Sequence, residues 1–101
     1  MGILSALFGS KPKVDLGELI ANGAQIIDVR TPQEYKTGHI KGSKNIPLDK
    51  LNSQIGKINK NKSVITCCAS GMRSGSAKGI LAKAGFDVHN GGGWTNLRKY
   101  S

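Results

Sequence analysis

The sequence predicts an α/β domain with a central parallel sheet and helices on both faces. Three observations carry that expectation. Short β-rich apolar runs, at 24–30, 63–68 and 86–90, are bounded by turn residues. Segments with helical apolar spacing and their own start and stop signals lie between them, and strands alternating with helices build parallel sheets. Finally, 101 residues is the length of one domain, enough to bury a modest core without disulfide staples.

Taken in order, residues 1–12 read as an N-terminal arm or short helix, and 13–101 as the domain itself. Met1 to Ser10 carries an apolar patch, but it has no basic leading region and its apolar run is too short for a signal peptide. Ala6 breaks the myristoylation pattern. After the linker Lys11-Pro12-Lys13, Asp15-Leu-Gly-Glu18 reads as a capping box opening a helix. Leu16, Leu19 and Ile20 share one face of that helix, and Asn22-Gly23 stops it. A buried strand follows over Ala24 to Arg30. Thr31-Pro32-Gln-Glu34 then opens a second helix, with proline at its first position and a second capping box.

Gly38-His39-Ile40-Lys-Gly42 to Pro47 is a turn-rich stretch ending in a short extended piece. Leu48 to Ile58 has helical apolar spacing, with Asp49 available as a cap, and runs into the lysine-rich turn Asn59-Lys-Asn-Lys62. The strand Ser63 to Cys68 comes next. Gly71, Ser74, Gly75 and Ser76 lead into a helix carrying Ala77, Ile80, Leu81 and Ala84, ended by Gly85. Phe86 to Asn90 is the last strand candidate, Gly91-Gly-Gly-Trp94 a final turn, and Thr95 to Tyr100 a closing helical turn or two.

Composition narrows the function classes. The formal charge is +9, but twelve of the fifteen cations are lysines scattered along the chain, and only five residues are aromatic. Nucleic-acid binders instead cluster arginine with aromatics on one face, so no nucleic-acid partner is expected. A basic field of this kind draws in small anions or an acidic partner protein. No run is long enough to span a membrane. Two adjacent cysteines cannot form a disulfide framework and suit a reducing, cytoplasmic compartment. No His, Cys and carboxylate cluster has metal-ligand spacing, so neither metal nor cofactor is expected. Nothing demands more than a monomer.

The chemistry concentrates in Val64-Ile-Thr-Cys67-Cys68-Ala-Ser-Gly71-Met-Arg73-Ser74. A loop curling round a sulfur turns its amides inward, and the following helix adds its positive dipole end. A thiolate and a bound anion are both favoured there, so the thiol pKa should be depressed. Arg73 adds a fixed charge, while Ser74 and Ser76 add hydroxyls. The spacing leaves two candidates open. Five residues separate Cys67 from Arg73, as in tyrosine phosphatases and arsenate reductases, and four separate Cys68 from it. The tight turn wants glycine three residues after the nucleophile, which is Ser70 counted from Cys67 and Gly71 counted from Cys68.

Cys68-Ala-Ser-Gly71-Met-Arg73-Ser74 resembles the active-site loop of rhodanese-domain sulfurtransferases. Ile26-Ile-Asp28-Val-Arg30, Glu34-Tyr35 with Gly38-His39-Ile40, Asn45-Ile-Pro47 and Gly91-Gly-Gly-Trp94 match the family in the same order. The resemblance covers roughly 14–98 and implies the rhodanese-like fold. It also implies transfer of a sulfane sulfur from thiosulfate or a persulfide to cyanide or a thiol, by ping-pong kinetics, through a persulfide on Cys68. Substrate would bind along Ala69, Ser70, Gly71, Met72 and Arg73, supported by Asp28, Arg30 and Ser74. Arg30 could pair with Glu34 to fix its loop or could touch substrate directly. The resemblance assigns His39 to a structural turn rather than to a general base. Ala69 stands where the family often has Arg or Lys, which weighs against thiosulfate as the natural donor. Two other readings remain: an arsenate reductase or phosphatase using Cys67, and a non-catalytic sulfur carrier or binding module.

Overall fold

The computed structural model describes residues 14–101. The proposed arm at 1–12 and the linker's Lys11, Pro12 and Lys13 lie outside the described residues. Four strands, β1 (Gln25–Asp28), β2 (Lys44–Asn45), β3 (Val64–Cys68) and β4 (Val88–Gly93), form one sheet in the order β2-β1-β3-β4. Every pairing is parallel, with Asp28 opposite Cys67 and Ile27 opposite Lys44. The connections carry α1 (Leu16–Ala21), α2 (Pro32–Thr37), α3 (Leu51–Gln54) and α4 (Met72–Lys83), and a 3-10 stretch, Trp94–Tyr100, closes the chain.

Side-chain alternation along β1 and β3 sorts the core into two layers. Ile27, Val29, Val64 and Cys68 pack on one face with Leu51, Ala77 and Leu81, and the partly buried Ile80 and Ala84 join them. Ile26, Ile65 and Cys67 pack on the other with Leu97, against which Leu16, Leu19, Ile20 and Trp94 lie. The apolar stripes of the first and last α-helices therefore meet the two faces as their spacing predicts. Thr31 caps α2 with the full capping box, and Gly23 and Gly85, at φ of 94° and 92°, end α1 and α4 in the left-handed conformation glycine tolerates.

Several local expectations are corrected. Only half of the first capping box forms: Asp15 Oδ1 accepts from the Glu18 amide at 3.2 Å. Leu48 to Ile58 is no continuous helix. A 3-10 turn (Leu48–Lys50), α3 and a second 3-10 turn (Ile55–Lys57) follow one another, with Pro47 rather than Asp49 at the cap position. Asn52, Ser53 and Gly56 are weak helix formers, and burial of Leu51 with Ile55 and Ile58 against the sheet sets the path instead. α4 starts at Met72, so Ser74, Gly75 and Ser76 lie inside its first turns. Finally, Gly91–Gly93 complete β4 rather than forming a turn after it.

That last difference shapes the site. Thr66 pairs with Asn90 and Cys68 with Gly93, so β4 spends one residue more than β3 over the same span. This is a bulge, with Gly92 at φ 75°. It brings Gly93 against the loop after Cys68: a Cβ there would stand 2.9 Å from the Ala69 carbonyl oxygen. Only glycine lets the two backbones approach so closely.

Candidate active site

The chain leaves β1 toward one edge of the sheet and β3 toward the other, which opens a crevice above the C-terminal ends of these neighbouring strands. Cys68 ends β3 at that point. Gly71, at φ 107°, turns the chain back over the sulfur before α4 begins. Its amide donates to Cys68 Sγ at 2.9 Å and the Ser74 amide donates at 3.3 Å. The thiol in turn faces Ser74 Oγ at 3.4 Å. Burial pushes the Cys68 pKa up, but its hydrogen bond with the Ser74 side chain and those from the amides of Ser74, Gly71 and Ser70 outweigh it, and the net shift is downward.

Cys67 lies on the opposite face, wholly buried beside Ile26, Ile65 and Leu97. Burial, reinforced by the nearby Asp28 carboxylate, pushes its thiol up to about 12. A phosphatase or arsenate reductase would need a thiolate at Cys67, and this environment opposes one. Alkylation of the native protein by iodoacetamide, followed against pH by peptide mass, should therefore modify Cys68 with a midpoint below the ordinary thiol value of about 8.5 and leave Cys67 unmodified. A Cys68 midpoint at or above that value would mean that burial, not the amides, governs the sulfur.

Arg73 reaches across to Glu34 on α2. Its Nη1 and Nη2 donate to Glu34 Oε1 and Oε2 at 2.7 and 3.0 Å, a bidentate clamp between α4 and α2. Glu34 also accepts from the Thr31 amide at 3.1 Å. The Arg73 hydrogen bonds, then those from Thr31, lower its pKa to about 2. A depressed carboxylate stabilises the fold above its unfolded pKa and loses that contribution as pH falls through the folded one. The clamp therefore stays ionised down to about pH 2. Its side chains are 36% and 37% exposed, so solvent screening keeps its contribution to stability small.

Asp28 and Arg30 are brought together, but on the Cys67 side. Arg30 Nε and Nη2 donate to the buried Asp28 carboxylate at 3.0 and 2.8 Å. Nη2 also donates to the Gly38 carbonyl at 2.6 Å, and Nη1 to the Glu34 carbonyl at 3.2 Å. Of the two roles left open for Arg30, the ion pair with Glu34 does not form: Arg30 takes the Glu34 backbone carbonyl and gives its charge to the fully buried Asp28. The guanidinium also sits 4.7 Å over the Trp94 ring, whose centroid lies 4.9 Å from Arg98. His39 stacks on Tyr35 at 3.8 Å and its Nδ1 lies 2.8 Å from the Tyr35 carbonyl, a structural turn residue as expected.

Two residues of the site escaped the sequence reading. Glu34 was legible as a cap and as a possible partner of Arg30, but its grip on Arg73 depends on helix packing. Asn90 was legible only as a strand residue. Its Oδ1 accepts from Ser74 Oγ at 2.6 Å and from the Gly92 amide at 2.8 Å, tying the bulge to the first turn of α4. An asparagine just ahead of three glycines is the sole local hint. Ala69 and Ser70 are exposed and Met72 is 82% exposed, and the amides that reach the sulfur are those of Ser70, Gly71 and Ser74. Among the described residues no group of three His, Cys, Asp or Glu could hold a metal ion, and no helix is long and apolar enough to cross a membrane.

Comparison with known proteins gives concordant matches. The family model described as a rhodanese-like domain matches residues 13–99. Thiosulfate sulfurtransferase PspE of Escherichia coli is 41% identical over 74 residues, covering 70% of this chain and 71% of PspE. Uncharacterized protein YqhL of Bacillus subtilis is 45% identical over 68 residues, and the match spans 66% of this chain but only 54% of YqhL. Among solved structures, reduced Bacillus anthracis CoADR-RHD superposes with a TM-score of 0.72 at 40% identity, covering 79% of this chain and 14% of that one. A structure described as rhodanese with anions, from E. coli, has a TM-score of 0.70 at 37% identity, covering 75% of this chain and 93% of that one.

Proposed function

Because the chain belongs to the rhodanese-like domain family, we propose that it is a sulfurtransferase carrying a sulfane sulfur from thiosulfate or a persulfide to a thiol or cyanide through a persulfide on Cys68. The Cys68 thiolate attacks the donor's outer sulfur. A bond forms from Sγ to that sulfur, the donor's own bond to it breaks, and the electron pair leaves with the remainder of the donor. In the second half-reaction the acceptor attacks the outer sulfur of the persulfide and the Cys68 thiolate departs. No net oxidant is consumed, and the kinetics are ping-pong.

The observation that carries this reading is the pair of amide donors on Cys68 Sγ, Gly71 at 2.9 Å and Ser74 at 3.3 Å. Directed at an anionic sulfur, they stabilise both the thiolate and the persulfide. In this reading the backbone of Ala69, Ser70, Gly71 and Met72 binds the reacting sulfur and Arg73 orients the loop. Ser74 supports the thiol through its hydroxyl, while Asp28 and Arg30 hold the strand end from the far face. The scattered lysines draw in anionic donors or an acidic protein partner.

Intact mass after incubation with thiosulfate tests the proposal. Wild type and Cys67→Ser should each gain one sulfur atom, removable by reductant and mapped to the Cys68 peptide. A gain that follows Cys67, or no gain with any sulfane donor, rejects it.

A further inference from the structure

Arg73 is the sole cation of the loop, since Ala69 follows the nucleophile and Met72 is apolar. Both of its outer nitrogens are already bound by the Glu34 carboxylate, at 2.7 and 3.0 Å. An incoming dianion therefore meets a cation already paired with a carboxylate, with two of its five N–H donors engaged. Beside this pair opens a pocket of ≈ 300 Å³ lined by Val29, Thr31, Pro47, Leu48, Asp49 and Arg73. Val29, Pro47 and Leu48 make its walls largely apolar, and the exposed Asp49 carboxylate repels further negative charge. Val29 packs in the same cluster as Cys68, so the pocket lies on the sulfur's face of the sheet.

Building on the sulfurtransferase reading, we infer that Glu34 and this pocket select donors whose sulfane sulfur rides on a carbon skeleton with a single negative charge, at the expense of thiosulfate. Glu34 touches no reacting atom. It is a specificity residue acting through Arg73, which it withholds from anions. The pocket receives the donor's apolar body, a role for which an inorganic dianion has no group to offer. For an organic thiosulfonate the step balances as before: the Sγ–S bond forms, the bond between the outer and sulfonyl sulfurs breaks, and the pair leaves on the sulfinate.

Three donors separate charge from apolar body: thiosulfate, methanethiosulfonate and benzenethiosulfonate, each followed by kcat/KM with cyanide as acceptor. Wild type should favour the benzene over the methane compound by about tenfold, the equivalent of partly burying an aromatic side chain. Leu48→Ser should shrink that ratio to about threefold or less. Glu34→Gln retains a side-chain oxygen for the Thr31 cap while removing the charge. It should raise the thiosulfate-to-methanethiosulfonate ratio by about fivefold, chiefly through a lower KM for thiosulfate. Thermal unfolding of both variants verifies that they fold. A thiosulfate ratio unmoved or lowered by Glu34→Gln, or no advantage for the benzene compound in wild type, overturns the inference while leaving sulfur transfer itself standing. Failure of all three donors to load wild-type Cys68 would reject sulfur transfer and the inference together.

Discussion

Cys68→Ser is expected to fold normally and to form thiocyanate from thiosulfate and cyanide no faster than background. The serine hydroxyl can accept the Gly71 and Ser74 amides that now reach Sγ at 2.9 and 3.3 Å, so the loop keeps its partners. What disappears is the polarisable thiolate that forms a bond to sulfur, and loss of a covalent nucleophile costs about 10⁴- to 10⁶-fold in turnover. The neighbouring cysteine supplies the control. Cys67→Ala removes a neutral, fully buried thiol from the opposite layer, so it should lower the unfolding temperature by a few degrees while turnover persists. Retention of more than a hundredth of wild-type turnover in Cys68→Ser, or its disappearance in Cys67→Ala, would place the nucleophile elsewhere.

Arg30→Met should destabilise the fold strongly, by about 3–5 kcal/mol. The methionine leaves the Asp28 carboxylate at 0% exposure without its guanidinium and frees the Gly38 and Glu34 carbonyls that Arg30 now binds. It also ends the contact at 4.7 Å with Trp94, which links the strand end to the closing 3-10 stretch. Small domains hold only about 5–15 kcal/mol in total, so this loss should be plain in urea unfolding. The double variant Asp28→Asn with Arg30→Met removes the stranded charge and should recover part of the loss. Equal stability of the single and double variants would mean that desolvated charge is not the cause. Because the pair lies on the Cys67 face, sulfur loading per folded molecule should fall far less than stability does.

Much of the architecture is written in local chemistry. The caps at Thr31 and Asp15, the stop glycines Gly23 and Gly85, and the alternation of strand and helix are short-range signals, so they were legible residue by residue. The same holds for the Cys68 loop, where nucleophile, turn glycine and helix start fall within a few residues. In Leu48 to Ile58 the helical spacing competes with weak propensity, and burial against the sheet decides that contest.

The parallel α/β layering, the reactive loop and the opposed directions of Cys67 and Cys68 follow from local chemistry, since each depends on a period of two or on contacts a few residues apart. The long-range partners of the site's polar side chains emerge only in the packed fold. Arg73 meets Glu34 across 39 residues, and Ser74 meets Asn90 across 16. A charged side chain pairs with whichever opposite group the fold desolvates beside it, and that neighbour is a property of packing, which no local pattern encodes.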